Sequence, residues 1–147
     1  MSWPLQPAHQ PIRILLVEDD DGEAKAVQRA FLKARIANPI VRALDGIEAL
    51  EILRGSERRP RLEKPYMLLI DLNMPRMGGI PLATAIREDP ELRDAIIFIL
   101  TTSNRVEDKE AAHLLNVAGF ILKENVAEDF LQLFNLVDCY WRIVEMP

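Results

Sequence analysis

Five short runs of apolar residues recur along the chain, and amphipathic segments separate them. The runs are residues 12–17, 40–44, 66–70, 95–100 and 120–122. Runs of this length and composition are typical of buried strands. Between them, apolar residues recur every three or four positions, as Ile47, Leu50 and Leu53 do. The pattern predicts five strands that alternate with five helices.

Four of these helices begin at a capping residue that is followed three positions later by glutamate. The pairs are Asp20 with Glu23, Asp45 with Glu48, Asn104 with Glu107 and Asn125 with Glu128. In such a pair, the first side chain accepts a hydrogen bond from the first helical turn, and the glutamate reaches back toward the cap. Each pair follows an apolar run. We therefore predict an α/β fold, with a doubly wound, five-stranded parallel sheet between two layers of helices.

The 147 residues are enough for one domain with one core. We assign residues 12–147 to that domain, including an extended C-terminal helix. Residues 1–11 contain three prolines and no apolar signal-peptide core, so we expect an extended N-terminal arm. Residues 55–65 contain three arginines and two prolines, which predicts either a solvated loop or a basic surface for a partner.

The last predicted helix, from about residue 126 to 144, is apolar on more than one face. It could bury one face and expose stray apolar residues, or it could bind another protein through a second face. We favour the second interpretation, because aromatic residues are common interface anchors. The candidate anchors are Phe134, Tyr140 and Trp141.

Charge and cysteine content narrow the partners and the compartment. A formal net charge of −5 offers no electrostatic footprint for nucleic acid and would be repelled by an anionic membrane surface. The apolar runs are too short to span a bilayer. A single cysteine, Cys139, excludes an internal disulfide and fits a reducing compartment. We expect a cytoplasmic protein that binds neither nucleic acid nor a membrane.

Acidic residues stand where two of the apolar runs end. Glu18 and Asp19 follow the first run, and Asp71 follows the third. The carboxyl ends of parallel strands meet at one edge of a sheet, which is where such folds place function. Carboxylates that lie so close to one another are not easily ionised together. The cluster therefore indicates a binding site for a hard divalent cation. The pattern predicts a Mg²⁺ site, to which Asn73 could add its backbone carbonyl.

The same edge carries groups suited to phosphoryl transfer. Asp71 could attack phosphorus as a nucleophile and form an aspartyl phosphate. Thr101 follows the fourth run and Lys123 ends the fifth. The threonine hydroxyl can donate to one phosphoryl oxygen, and the ammonium can neutralise another as a point charge. Either residue alone means little, but together with three acids on one rim they indicate a phosphate site.

These residues resemble the receiver domain of two-component response regulators. The matching residues are Glu18-Asp19, Asp71-Leu72-Asn73-Met74-Pro75, Gly78-Gly79, Thr101-Thr102 and Lys123. The resemblance covers residues 12–140, nearly the whole chain. It implies a flavodoxin-like receiver fold with the strand order 2-1-3-4-5.

The resemblance also implies which residues accept phosphate and bind metal. A sensor histidine kinase would donate the phosphoryl group, and Asp71 would accept it. Asp19, Asp71 and the Asn73 carbonyl would bind Mg²⁺, with Glu18 in the second acidic position. Such a protein is not an enzyme with a separate substrate, since it catalyses only its own phosphorylation and slow dephosphorylation.

A switch follows from the same resemblance. Thr101 and Lys123 would contact the phosphoryl group, and Phe120 matches an aromatic switch position. Inward movement of the Thr101 hydroxyl would let Phe120 repack. The repacking would shift a two-state surface over the fourth helix, the fifth strand and the fifth helix.

Three features resemble the stand-alone response regulators that are paired with bacterial phytochromes. They are the long segment 55–65, the long apolar last helix, and Glu124 in place of the proline that usually follows the lysine. This narrower resemblance implies a phytochrome-type kinase. It also implies a homodimer formed through the fourth helix, the fifth strand and the fifth helix.

Other functions remain open on the residues alone. A Mg²⁺-dependent phosphotransferase also places acids at neighbouring strand ends, and a phosphate shuttle or sink would use this site without a dimer switch. A flavodoxin-like cofactor binder is disfavoured, because residues 18–21 are all acidic and would repel a flavin phosphate. A pseudo-receiver that only binds a partner would have no need of Asp71.

Overall fold

Strands and helices alternate along the chain as its apolar pattern predicts. The computed structural model describes residues 12–33, 35–72, 74, 77–101, 110 and 113–123. The strands are β1 (Arg13–Val17), β2 (Ile40–Ala43), β3 (Tyr66–Asp71), β4 (Ile96–Thr101) and β5 (Gly119–Leu122). The helices are α1 (Asp21–Lys33), α2 (Gly46–Arg54) and α3 (Gly79–Glu88). The predicted caps Asn104 and Asn125 lie outside the described residues. Within the described ranges, no helix is long and apolar enough to cross a membrane.

The five strands form one parallel sheet in the order β2-β1-β3-β4-β5, which confirms the predicted topology. The chain winds outward from β1 to β2 in one direction and from β3 to β5 in the other. β1 and β3 are therefore neighbours at the point where the winding reverses, the usual binding position in such sheets. Val17 pairs with Ile70, so the next residues, Glu18 and Asp71, lie side by side.

Apolar side chains cover both faces of the sheet because successive residues of a strand point to opposite sides. On one face, Leu68 and Ile70 of β3 belong to a buried cluster with Leu53 of α2 and Leu82 and Ile86 of α3. On the other face, the buried cluster contains Met67 and Leu69 of β3 and Val27 and Phe31 of α1. All six residues of β3 are buried, as expected for the central strand of a sheet that is covered on both sides.

Two of the predicted capping pairs lie within the described residues, and they differ. Asp45 Oδ1 accepts from the backbone N–H of Glu48 at 2.8 Å, and Glu48 Oε1 accepts in return from the N–H of Leu44 at 2.7 Å. Asp20 Oδ1 likewise accepts from the N–H of Glu23 at 2.8 Å. The Glu23 carboxylate, however, accepts from Lys123 Nζ, and the N–H of Asp20 donates to Glu18 Oε2 instead of to Glu23.

Gly79 lets α3 begin directly against the end of β3. A β-carbon at this position would lie 2.8 Å from the Asp71 carbonyl oxygen and 3.0 Å from the Leu72 α-carbon. Those neighbours are backbone atoms, so they have no side-chain freedom to move aside. The Gly79 N–H donates to the Leu72 carbonyl at 3.0 Å. The glycine therefore fixes the path of the chain that leaves Asp71.

The arginine-rich segment 55–65 folds back on the domain's own acids. Arg59 lies 3.4 Å from Glu51, and Arg61 lies 2.7 Å from Glu91. The Leu62 N–H donates to the carbonyl of residue 52 at 2.9 Å. Because two of its three arginines already have acidic partners, these contacts favour the solvated-loop interpretation over a basic docking surface.

Candidate functional site

Three carboxylates meet beyond the carboxyl ends of β1 and β3. Glu18, Asp19 and Asp71 each offer an oxygen, and these oxygens lie within 4.8 Å of one another. Glu18 and Asp71 are buried, whereas Asp19 is exposed to solvent. The strand register explains the convergence, since it brings the ends of β1 and β3 level. Asp71 itself is the last residue of β3, one position further into the strand than the apolar run indicates.

Arg42 of β2 anchors the turn that carries the first two acids. Its Nε and Nη2 donate to the backbone carbonyl of Glu18 at 3.0 and 2.9 Å. Its Nη1 donates to Asp21 Oδ1 at 2.6 Å. A guanidinium presents several donors in one rigid plane, so one side chain can tie two points of a turn together. The sequence analysis missed Arg42, because a lone arginine in a strand carries no signal of the carbonyl it will meet.

Lys123, the residue after β5, reaches into the acidic cluster. Its Nζ lies 2.9 Å from Asp71 Oδ1, 3.0 Å from Glu18 Oε1 and 2.6 Å from Glu23 Oε2. The lysine side chain is only 15 % exposed. Burial alone would lower the pKa of Lys123, but the Glu23, Asp71 and Glu18 carboxylates together raise it above its ordinary value. The lysine is therefore charged at neutral pH and neutralises part of the cluster.

Glu18 is an acid whose charge is only partly compensated. Its side chain is fully buried. Oε2 accepts from the Asp20 N–H at 3.3 Å. Oε1 has no hydrogen bond among the described residues, although it lies 3.0 Å from Lys123 Nζ, so that contact is an ion pair without hydrogen-bond alignment. Burial raises the pKa of Glu18 to about 7, with Lys123 opposing the shift and Asp71 adding to it.

Asp71 has a similar environment. Burial raises the pKa of its carboxyl group, and the contact with Lys123 offsets part of that shift. The neighbouring backbone is fixed, since the Leu72 N–H donates to the Leu100 carbonyl at 3.1 Å. The carboxylate is thus held at a defined position while its charge is only partly compensated.

The donor set fits a hard divalent cation. Three carboxylate oxygens within a few ångströms of one another are the kind of ligand that Mg²⁺ and Mn²⁺ bind. Glu18 Oε1 is a buried acceptor without a hydrogen bond in the described structure, and a cation would satisfy it. Asn73, the fourth predicted ligand, lies outside the described residues, so its contribution stays a prediction.

The two predicted switch residues lie on neighbouring strands. Thr101, the last residue of β4, is 2 % exposed. Phe120 of β5 pairs with Ile99, two residues before Thr101, so the side chains of Phe120 and Thr101 share one face of the sheet. Phe120 is half-buried and meets the ring of His113 edge-on, at a centroid distance of 6.3 Å. The placement suits a coupled movement, and the switch itself stays a prediction.

The predicted interface anchors Phe134, Tyr140 and Trp141 lie outside the described residues, as does Glu124. The homodimer and the output surface therefore stay predictions.

A model of the response regulator receiver domain matches residues 14–135. The chain belongs to this family. The match includes Glu18, Asp19, Asp71, Thr101 and Lys123, the residues on which the sequence resemblance rests. Response regulators with a receiver domain are signalling proteins.

Three known proteins are similar to this receiver domain over most of its length. The chain is 26 % identical over 134 residues to response regulator Rcp1 of Synechocystis sp., covering 91 % of each chain. It is 32 % identical over 134 residues to FilR2, a probable methanogenesis regulatory protein of Methanothrix harundinacea, covering 91 % of this chain and 86 % of that one. The phosphorylated cyanobacterial phytochrome response regulator RcpA superposes with a TM-score of 0.76 at 26 % identity, covering 94 % of this chain and 99 % of that one.

Rcp1 has also been solved in a Mn²⁺-bound form. It superposes on this receiver domain with a TM-score of 0.71 at 28 % identity, covering 93 % of this chain and 99 % of that one. Family and fold are thus as the sequence predicts, and the relatives include phytochrome response regulators. The similar share of each chain that is covered shows that these relatives have about the same length as the receiver domain described here.

The raised pKa of Glu18 predicts how the stability of the metal-free receiver domain depends on pH. The folded-state pKa of about 7 lies above the ordinary value of 4.5, so the protonated form is favoured by folding. That contribution is fully present below about pH 4.5 and is lost as the pH rises through about 7. Relative to a Glu18→Gln variant, the wild type should lose roughly 2 kcal/mol of unfolding free energy across this range.

Urea denaturation of both proteins without divalent cations, at several pH values, measures this difference. Taking the difference between the two proteins removes the titration of the distant acids, which both share, and leaves that of Glu18 together with the neighbouring Asp71, whose charge affects it. Parallel stability profiles for the wild type and Glu18→Gln would show that the Glu18 carboxyl group titrates as it does in water.

Proposed function

We propose that this receiver domain accepts a phosphoryl group from a sensor histidine kinase on Asp71, with Mg²⁺ bound at the acidic cluster. The observation that carries the proposal is the arrangement around Asp71. Its carboxylate lies in a cluster of three acids whose oxygens are within 4.8 Å of one another, and the ammonium of Lys123 is 2.9 Å away. The Mn²⁺-bound form of the relative Rcp1 supports the choice of a divalent cation.

The chemistry is a transfer of one phosphoryl group between two side chains. An oxygen of the Asp71 carboxylate attacks the phosphorus of a phosphohistidine on the kinase. The new P–O bond forms as the P–N bond breaks, and the electron pair of that bond stays on the imidazole nitrogen, which takes up a proton. Attack by water on the aspartyl phosphate later restores the carboxylate and releases inorganic phosphate.

The residues around Asp71 lower the barrier by holding charge and orientation. When bound, Mg²⁺ would be held by Glu18, Asp19 and Asp71 and would neutralise negative charge on the phosphoryl oxygens. Lys123 supplies a second positive charge within hydrogen-bond distance of Asp71. Thr101, buried at the end of the adjacent strand β4, provides a hydroxyl for a third phosphoryl oxygen.

The output would be a change at a protein–protein surface. Thr101 and Phe120 share one face of the sheet, so movement of the hydroxyl toward a phosphoryl group would free space for the ring to turn inward. The turn would remove Phe120 from its contact with His113 and alter the surface over the fourth helix, β5 and the last helix. We propose that this surface forms a homodimer.

We further propose that the kinase is of the phytochrome type. The similarity to RcpA, a cyanobacterial phytochrome response regulator, supports this choice. The chain has a higher identity to FilR2, a probable methanogenesis regulatory protein, so relatives that are not named as phytochrome regulators are equally similar. Phosphotransfer from a purified phytochrome-type kinase and from a histidine kinase of another type therefore tests the choice of kinase. Faster transfer from the phytochrome-type kinase is expected, and equal rates would contradict the proposal.

Beryllofluoride, which mimics a phosphoryl group on a carboxylate, tests the site directly. With Mg²⁺ present, the wild type should bind it, and Asp71→Ala should abolish binding because the acceptor oxygens are gone. Asp94→Ala, which removes an exposed aspartate elsewhere, is the matched control and should bind as the wild type does. Calorimetry measures binding, and sedimentation of the same samples measures the oligomeric mass.

The outcomes separate the alternatives. Binding that is lost in Asp71→Ala and accompanied by a rise in mass supports the phosphorylated dimer. Binding without a change in mass would favour a phosphate shuttle or sink. Retention of binding in Asp71→Ala would contradict the assignment of the acceptor, and steady turnover of a phosphorylated small molecule would indicate a phosphotransferase instead.

A further inference from the structure

The proposed phosphorylation chemistry assigns no role to Glu23. It lies in the first turn of α1, and its carboxylate Oε2 is 2.6 Å from Lys123 Nζ. This contact is the shortest of the three that the ammonium makes, since Asp71 and Glu18 lie at 2.9 and 3.0 Å. Glu23 is not among the acids whose oxygens converge on the possible metal position.

The ammonium of Lys123 is shared among three carboxylates, because it donates to Glu23 Oε2 and forms ion pairs with Asp71 and Glu18. It carries three N–H groups, and three carboxylates surround it. A phosphoryl oxygen on Asp71 must compete with these carboxylates for the ammonium, so it displaces one of the present contacts.

Burial decides which contact can be given up at least cost. The side chain of Glu18 is 0 % exposed and that of Asp71 is 8 % exposed, whereas Glu23 is 46 % exposed. A carboxylate that leaves an ammonium inside the protein loses compensation for its charge, but one at the surface is solvated by water instead. Glu23 can therefore turn outward, and Glu18 cannot.

We propose that Glu23 is a positioning residue that competes with the phosphoryl group for the ammonium of Lys123. In the unphosphorylated protein it holds the ammonium, and it is displaced when Asp71 carries phosphate. Its effect is to weaken phosphoryl binding and so to set how readily the site is occupied. The inference rests on the proposed function, because it concerns the lysine contact that phosphorylation requires.

The competition is expected to affect the binding of Mg²⁺ and the binding of beryllofluoride in opposite directions. In a Glu23→Gln variant, Lys123 is released to its other partners. It should then pair more fully with Glu18 and Asp71, and Mg²⁺ alone should bind more weakly. At saturating Mg²⁺, beryllofluoride should bind about threefold to tenfold more tightly, the range expected for the loss of one partly exposed ion pair. A variant that was merely less stably folded would bind both Mg²⁺ and beryllofluoride more weakly.

Two further variants separate contact from charge. Glu88→Gln makes the same change of side chain at an exposed glutamate of α3, so beryllofluoride affinity should stay within about twofold of the wild type. Glu23→Asp keeps the charge but shortens the side chain by one methylene. If the contact matters, its beryllofluoride affinity should exceed that of the wild type.

Calorimetric titration of the four full-length proteins with Mg²⁺, and then with beryllofluoride at saturating Mg²⁺, decides the matter. Opposite shifts in Glu23→Gln, with tighter beryllofluoride binding in Glu23→Asp, support the inference. Unchanged or weaker beryllofluoride binding in Glu23→Gln overturns it, as does wild-type affinity in Glu23→Asp, while the proposed function still stands if the wild type binds and Asp71→Ala does not. A wild type that fails to bind overturns both.

Discussion

Replacing Lys123 by methionine is expected to lower the unfolding free energy of the metal-free receiver domain by about 3 kcal/mol at neutral or higher pH. The ammonium lies within 3.0 Å of two buried carboxylates, and methionine fills similar space without the charge. Glu18 and Asp71 would then repel each other without compensation. Protonation would relieve the repulsion at lower pH, so the loss should shrink as the pH falls.

Mg²⁺ should reverse much of this loss, because the cation takes over the compensation that the lysine supplied. We expect Lys123→Met to bind Mg²⁺ about tenfold more tightly, since the competing positive charge is gone. Phosphorylation by an acyl phosphate should nevertheless slow by about a hundredfold or more, because the donor to the phosphoryl oxygen has been removed. Urea denaturation with and without Mg²⁺, calorimetry and a phosphorylation time course measure the three effects.

Lys25→Met is the matched control for this variant. Lys25 is an exposed lysine of α1, and the same change there should alter stability by less than about 0.5 kcal/mol. An equal loss of stability in Lys123→Met with and without Mg²⁺ would contradict the argument. It would mean that the aliphatic part of the lysine, and not its charge, stabilises the site.

Replacing Arg87 by methionine should destabilise the domain by about 3 kcal/mol through a different mechanism. Arg87, near the end of α3, donates to four backbone carbonyls: Leu115 at 2.7 Å, Arg93 at 2.7 Å, Ala95 at 2.7 Å and Asn116 at 3.0 Å. These carbonyls precede β4 and β5, so the guanidinium ties the entry points of two strands together. Methionine would leave several of them without a partner in the protein.

The comparison with Arg54 makes this prediction specific. Arg54 lies on α2, and among the described residues its half-exposed side chain forms one ion pair, with Asp89 at 3.0 Å. Arg54→Met should therefore cost less than about 1 kcal/mol. Chemical denaturation of both variants measures the difference. Beryllofluoride binding should survive in Arg87→Met under conditions in which it is folded, because its contacts lie at the amino ends of the strands. Equal, small losses in both variants would refute the role of the carbonyl contacts.

The alternation of strands and helices and the rim of acids were predictable because they depend on local patterns, whereas the strand order came from the family resemblance. A run of apolar residues marks a buried strand, and the residue after it must lie at the edge of the sheet. Glu18, Asp19 and Asp71 are therefore placed by the sequence alone, once strand–helix alternation makes the sheet parallel. Strand ends were less well predicted, because β3 and β4 each extend one residue further at the carboxyl end, to Asp71 and Thr101.

Contacts between distant polar side chains could not be predicted in this way. Glu23 matched the capping pattern, yet its carboxylate lies on Lys123, 100 residues further along the chain. Arg42 and Arg87 had no marked sequence context, but each holds backbone carbonyls that the fold brings within reach. Nothing near such residues in the sequence indicates the partner.

Sequence pattern sufficed for the order of elements, the family and the acids at the strand ends, because burial of apolar runs and the alternation of strands and helices are local constraints. The charge balance of the site could be determined only from the tertiary structure. Which carboxylates are buried and which one shares the ammonium of Lys123 follow from distances and solvent exposure across separate strands and helices. Those quantities arise only when the packed domain excludes water, because burial is what makes each unpaired charge costly.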